Sequence, residues 1–517
     1  MKGRTKGLAL IAVLCAALCL NGCVSSGIPV NDGKSYALPE AEMAYTAPIG
    51  DASLDYARSA VFYLPRHDGT RLTTVTNTIT LSEGRLTEES IVRLLLEQTG
   101  NAIASPLGGD AKLSLYGANP VEVSGDVATV NLSASALQLD REALFVVANA
   151  ITNTLTELSG IQYVNTLVMD KKLSLDLGAT LPVGALTRNM GEDLDALYEQ
   201  QLSRRVSTGE NAAQKRLTAT VTLYFPLSAV NGIMAEARNV TFTSMDPPAM
   251  AQQLMEEIAG GAAVVNGSPA MPTLAKYLTE APIFTQPSGL SGNLITLRFG
   301  AQLDDMLAAV GVSRASLMAA LCYTFTTFLP NVGGIEVYVN GDRVEHVMLG
   351  STSGILFDGG IQQRADYAEL LMDNCTLYFA DSAEQKLVEV RRPIAFYQTA
   401  NPRALLAELF KGPSAADSVQ GVRSLIPAGT LKDADIIGIS LDGDTLLVNF
   451  SNTFLTVGNG MTENEDRLMA YSLVDTLLHA ANAKRVVFFA GRNPIEGFTD
   501  AIYWKGWFMQ NLGIIKD

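Results

Sequence analysis

The sequence predicts an α+β protein of three tandem small α/β sandwich units, each a mixed or antiparallel sheet with two helices packed on one face. Two observations carry this expectation. Three stretches of roughly 130–145 residues, close to the usual size of a domain, each read strand, strand, amphipathic helix, hairpin, apolar helix, strand. The hairpin turn also repeats around a central glycine: Ser124-Gly125-Asp126 leads into 127–133, Ser291-Gly292-Asn293 into 294–300, and Asp442-Gly443-Asp444 into 445–451. A tight hairpin turn needs a residue that tolerates positive φ, and glycine does so without strain. The same pattern accounts for Asp442-Gly443-Asp444 better than a calcium loop, whose alternating oxygen ligands are absent.

The first unit is placed at 59–190. Ala60-Val61-Phe62-Tyr63-Leu64 and the β-branched run 72–79 read as paired strands. Thr87-Glu88-Glu89-Ser90 reads as a helix start, with carboxylates against the positive end of the dipole. Ile91, Leu94 and Leu95 follow at helical spacing. A more apolar helix over 141–158 and a strand over 161–168 complete the unit. The second unit, 217–350, opens its first helix at Asp246-Pro247-Pro248 and caps its second with Ser313. The third, 374–517, caps a helix at Asn401-Pro402 and stops it at Gly412-Pro413. Its second helix opens at Asn464-Glu465-Asp466, where the acidic residues read as complements to the helix dipole, and 485–489 closes the sheet. Residues 191–216 and 351–373 read as linkers with some helix.

The N-terminus decides location. Lys2, Arg4 and Lys6 precede an apolar run from Leu8 to Leu20, the layout of a secretory signal and too short for a mature membrane span. Leu20-Asn21-Gly22-Cys23 resembles the bacterial lipoprotein box, which implies that 1–22 is a signal peptide and Cys23 the lipidation site. The competing reading is an ordinary secretion signal with an incidental cysteine. Residues 23–58, rich in Ser, Gly, Asn and Pro, read as a flexible tether. The protein is expected on the extracytoplasmic face of the cell membrane, held by lipid. Its formal charge of −16 disfavours nucleic acid and anionic headgroups as partners.

Chemistry is sparse. His67, His346 and His479 fall at non-equivalent places in different units, so no zinc spacing exists. Once Cys15 and Cys19 leave with the signal and Cys23 takes the lipid, Cys322 and Cys375 remain. Cys322 lies in an apolar run and reads as core, and whether it pairs with Cys375 is open. Catalytic, cofactor and metal residues are expected to be none. Asn131 and Asn449 occupy the same place after their hairpins and read as residues that bond backbone at the strand end, with a shared ligand site as the alternative. The C-terminal stretch 503–509 holds both tryptophans and reads either as cover for the third unit's own sheet or as an interface anchor.

The third unit carries a family resemblance. Leu377-Tyr378-Phe379, Val390-Arg391-Arg392, Lys411-Gly412-Pro413, Ile426-Pro427-Ala428-Gly429-Thr430 and Val448-Asn449-Phe450-Ser451 follow one another in an order similar to the GerM domain of sporulation and spore germination. The first unit keeps Val130-Asn131-Leu132-Ser133, whereas the second has Arg298 and Gly300 where Asn449 and Ser451 stand. The resemblance implies a membrane-anchored lipoprotein of a spore-forming bacterium with a fold similar to ring-building motifs. It also implies a non-enzymatic role in an envelope assembly linked to sporulation or germination. Expected partners are envelope or sporulation-channel proteins and further copies of the chain. The alternative is a module that binds cell-wall glycan or peptide in the clefts between units.

Overall fold

The computed structural model describes residues 45–52, 56–66, 68–81, 86–97, 107–173, 184–203, 217–228, 230–383, 385–419, 421–480 and 483–516. The architecture is mixed α and β, with several small sheets. Strands β1 (Tyr56–Pro65) and β2 (Leu72–Leu81) pair as an antiparallel ribbon, followed by helix α1 (Thr87–Glu97). Then β3 (Val121–Ser124) and β4 (Val127–Leu132) form the hairpin. Helix α2 (Arg141–Leu155) crosses over to β5 (Tyr163–Val168), which lies parallel to β4.

The same succession returns twice. The second ribbon is β6 (Leu217–Pro226) with β7 (Ile233–Phe242), followed by helix α3 (Pro247–Ala259). Its sheet holds β8 (Ile283–Thr285), β9 (Asn293–Phe299) and β10 (Val332–Val339), with helix α4 (Arg314–Phe328) crossing over. The third ribbon is β11 (Met372–Asp381) with β12 (Leu387–Ala395), followed by helix α5 (Pro402–Phe410). Its sheet holds β13 (Ile436–Asp442), β14 (Thr445–Phe450) and β15 (Arg485–Ala490), with helix α6 (Glu463–Ala480) crossing over.

One sheet per stretch was the expectation, and the structure corrects it. Each crossover helix packs on a ribbon strand and on the parallel strand of a separate small sheet: α2 on β1 and β5, α4 on β6 and β10, α6 on β11 and β15. The cause is in the helices. Every residue of α4 from Ala315 to Phe328 is buried, so this helix needs cover on both sides and has no solvent stripe.

Local signals place the helix starts. Ser313 accepts from the Ser316 N–H at 3.0 Å, and Asn401 Oδ1 accepts from the Arg403 N–H at 3.0 Å. Gly125 and Gly443 stand at φ 61° and 62°, as the hairpin turns require. Each parallel strand has its outer edge stopped at one equivalent position. Val164 exchanges backbone bonds with Leu186, Ile335 pairs with Gln362, and Val486 exchanges bonds with Phe508. Within the 351–373 stretch, read as a linker, Ile361 and Gln362 therefore pair with the second sheet, and Met372 and Asp373 already belong to the third ribbon. Plugged edges leave no row of backbone groups there to recruit another strand.

The C-terminal aromatic stretch folds back. Trp504 is fully buried, ringed by Phe454, Phe488, Phe498 and Phe508, and its Nε1 donates to Asp466 Oδ1 at 2.8 Å. Asp466 Oδ2 accepts from the Thr499 N–H and hydroxyl at 3.0 and 2.7 Å. Asp466 lies in the first turn of α6, as a complement to the helix dipole should, and is in addition a buried acceptor that holds the tail to the helix. Farther along α6, Asp475 Oδ1 accepts from the Asn511 N–H of the tail at 3.0 Å while its Oδ2 has no partner.

Two outcomes follow. Asp466→Ala strips the Trp504 N–H and the Thr499 donors of their acceptor inside the core, at a cost of about 1–3 kcal/mol, read as a lower urea midpoint with unchanged slope. Burial pushes the Asp475 carboxyl up to about 7 from an ordinary 3.8, against the pull of the Asn511 N–H. Between those values the folded chain keeps a proton that the unfolded chain has lost, so this group makes stability fall as pH rises from about 4 to about 7. Asp475→Asn flattens the plot of Tm against pH across that window.

Candidate functional site: the outer faces of the three sheets

Each small sheet alternates its side chains between a face toward its crossover helix and an outer face. In the first sheet Ala128, Val130 and Leu132 enter the core under α2, so Val127, Thr129 and Asn131 point outward. In the second, Ile295 and Leu297 are core residues, and Thr296 and Arg298 point outward. In the third, Leu446, Val448 and Phe450 are core residues, and Leu447 and Asn449 point outward. The three outer faces meet three different fates.

The second ribbon covers the first face through a buried polar layer. Asn165 donates to Thr222 Oγ1 at 2.8 Å, and Thr129 lies 3.3 Å from the Tyr224 hydroxyl. At its centre Glu122, on β3, meets Arg364, from the 351–373 stretch. Arg364 Nε donates to Glu122 Oε2 at 3.1 Å, a second guanidinium nitrogen bonds the same oxygen, and Nη1 donates to Thr327 Oγ1 at 2.7 Å. Glu122 Oε1 accepts from the Tyr323 hydroxyl at 3.1 Å, and the guanidinium lies 3.9 Å from the Tyr323 ring centroid. Arg364 is 3% exposed and Glu122 7%. Burial, with the Glu122 charge added to it, pushes the Tyr323 hydroxyl well above its ordinary pKa, so it stays a donor. An ion pair this dry is stable only because nearly every donor and acceptor has a partner.

The hairpin turn beside it joins the third ribbon. Ser124 Oγ donates to the Met372 carbonyl at 2.6 Å and accepts from the Ala235 N–H at 2.9 Å. The Gly125 N–H donates to Asp373 Oδ1 at 2.9 Å, and a Cβ on Gly125 would meet the Ala235 carbonyl oxygen at 2.8 Å.

The second outer face is polar at its Arg298 end. Arg298 pairs with Glu280 at 2.8 Å and lies 3.9 Å from the Tyr338 ring centroid, while the Tyr338 hydroxyl donates to Glu336 at 3.2 Å. The Arg298 and Glu280 side chains are 37% and 46% exposed, so this end faces water. The third outer face is apolar: Leu447, Val487 and Phe489 are covered by Tyr45 and Ala47 from the N-terminal side and by Trp507 from the C-terminal tail. Part of the 23–58 stretch read as a flexible tether, residues 45–52, therefore lies on the third sheet.

The asparagines act as strand-end clamps. Asn131 Oδ1 accepts from the Asp170 N–H at 2.9 Å, and Asn449 Oδ1 from the Arg492 N–H at 3.3 Å. Asp170 and Arg492 both carry positive φ, at 63° and 77°, where the chain leaves its sheet. Cys322 and Cys375 are free and buried, and burial pushes the Cys375 thiol up to about 12. His346 is exposed, the His479 ring nitrogen lies 3.3 Å from the Tyr378 hydroxyl, and Cys23 and His67 lie outside the described residues. Among the described residues no three His, Cys, Asp or Glu side chains gather as a metal site.

Comparison with known proteins gives one family-model match and matches to solved structures. Residues 61–174 and 376–496 match the family model Germane, described as sporulation and spore germination. The tandem GerMN domains of the sporulation protein GerM from Bacillus subtilis are 17% identical, with a TM-score of 0.22 over 59% of this chain and 99% of that one. A Clostridium perfringens chain described as a lipoprotein is 19% identical, with a TM-score of 0.16 over 28% of this chain and 91% of that one. No curated protein matches.

Truncating one partner of the buried pair leaves the other charged and dry. Glu122→Gln and Arg364→Met are each expected to cost about 3–5 kcal/mol, and the double variant less than their sum. Urea unfolding of the four chains checks the cycle; additive losses would show that the two side chains do not interact.

Proposed function

We propose that this chain, a GerM-like protein of the sporulation and germination family, is a lipid-anchored extracytoplasmic protein that works by protein–protein contact in an envelope assembly. Lipid on Cys23 holds it to the membrane, and GerM-like domains over 59–190, 217–350 and 374–517 make the contacts. It performs no catalysis in this reading.

The observation that carries the reading is the use of the outer sheet faces. Two are already binding surfaces within the molecule: the first takes a β-ribbon and the third takes an extended segment. The second keeps its Arg298 end open, and the charges there are already positioned, with Arg298 between Glu280 and Tyr338. A face of the same construction, polar and solvent-exposed, is suited to a partner's polar ribbon, as the buried layer around Glu122 shows on a small scale. Charges at such a rim set partner choice and association rate more than affinity.

Capture from crosslinked sporulating cells, with the natively lipidated chain as bait, tests the reading. Envelope-channel proteins or further copies of the chain are expected with the wild type and depleted with Arg298→Glu. Recovery of wall fragments alone, equal in vegetative cells, would reject the assembly role in favour of a wall-binding module. Cys23→Ser is expected to move the protein from the membrane fraction to the soluble one; unchanged membrane retention would rule out the lipid anchor.

A further inference from the structure

Residues 45–52 lie along the third sheet as an added half-strand. The Gly50 N–H donates to the Ile437 carbonyl at 3.0 Å and the Ala52 N–H to the Ile439 carbonyl at 2.9 Å. In return Asp51 Oδ1 accepts from the Ile439 N–H at 3.1 Å, and Asn449 Nδ2 donates to the Pro48 carbonyl at 2.9 Å. Arg403, in the first turn of α5, grips the Asp51 carboxylate with two nitrogens at 2.7 and 2.9 Å. Main-chain bonds that supply adhesion, with side-chain contacts that select sequence, are the pattern of peptide recognition at a sheet edge.

The fit is also steric. β13 breaks register at Gly438, and a Cβ there would meet the Gly50 carbonyl oxygen at 2.5 Å, the Gly50 nitrogen at 2.6 Å and the Pro48 oxygen at 2.9 Å. Gly438 has an ordinary φ, so close approach of another backbone is what requires glycine here. On the segment's side Gly50 sits at φ 78°, which other residues adopt only with strain.

The segment is separable from the fold it rests on. Ala47 and Pro48 are buried, but Ile49 is 66% exposed and Gly50, Asp51 and Ala52 are all exposed. Ala47 belongs to a small cluster with Leu447, Val487 and Phe489, apart from the main core between the third ribbon and α6. That core is complete without it.

We propose that the β13 edge, Asn449 and the start of α5 form a docking groove for an extended segment of the form Ala-Pro-x-Gly-Asp. Residues 45–52 occupy it within the chain, and when opened it accepts the same segment from a second copy. Tethering gives the resident segment an effective concentration of about millimolar, which keeps the groove filled and the chain monomeric at rest. Residues 53–55 join the segment to the first ribbon and reach only about 10–14 Å when extended, so exchange brings two copies together at this end. The inference stands apart from lipid anchoring and from the Arg298 face.

Two full-length variants test it. Gly50→Val with Asp51→Ala weakens the resident segment and leaves the groove intact; Gly438→Val blocks the groove and frees an intact segment. Each alone is expected to sediment as a monomer, and the mixture as a one-to-one dimer. A labelled synthetic peptide of residues 45–52 is expected to bind the open-groove variant saturably and the wild type at least ~10-fold more weakly. Adding Arg403→Glu to the open-groove variant removes that binding while Gly438 stays unchanged. No saturable binding by an open-groove variant whose circular dichroism and unfolding midpoint match the wild type overturns the groove. Peptide binding with a mixture that stays monomeric overturns exchange between copies.

Discussion

A sheet of three to five short strands has two faces and too little mass to hide either one. That constraint organises this molecule. The crossover helix covers one face of each sheet, and the ribbon covers the far side of the helix, which is why α4 is buried all round. The other face must be covered by something, or be made polar enough to meet water. The chain uses both answers. An apolar outer face in the third sheet recruits Tyr45, Ala47 and Trp507, and a hydroxyl-rich one in the first sheet recruits the next ribbon. The second sheet stays partly open and carries Arg298, Glu336 and Tyr338.

This also gives a physical account of where the middle stretch departs from the outer two. In the outer two stretches an asparagine ends the second hairpin strand and clamps the backbone as the chain leaves the sheet. Where the middle stretch has Arg298, the clamp is gone and the position points to solvent, so an arginine stacked on Tyr338 fits it. Substitution at the clamp tracks the environment of the face.

Much of the fold was legible in the sequence because it is locally encoded. The hairpin glycines, the caps at Ser313 and Asn401 and the apolar crossover runs each announce an element within a few residues. What local reading missed lies between distant positions. Glu122 sits between Val121 and Val123 in an apolar strand, a signal of a buried partner, but that partner, Arg364, is 242 positions away in a stretch that reads as a linker. Residues 45–52 look like coil because Pro48 and Gly50 form no strand by themselves; their hydrogen-bond partners begin at Arg403 and Ile437. Asp466 reads as a helix-start acid and is one, but nothing nearby reveals that Trp504 returns to it. The candidate faces were invisible for the same reason, since which side of a sheet is covered depends on tertiary packing.

The contact between residues 45–52 and the third sheet has a consequence for how the molecule is made. A ribosome releases Gly50 early, yet Ile437, Gly438 and Asn449 come almost at the end of synthesis. The ribbons and sheets of the first two stretches can form in order behind the growing tip, each from neighbouring sequence. This one segment has no home until the last sheet exists. It is among the first parts of the body to be synthesised and among the last to be placed, so its docking reports that the whole chain has been completed.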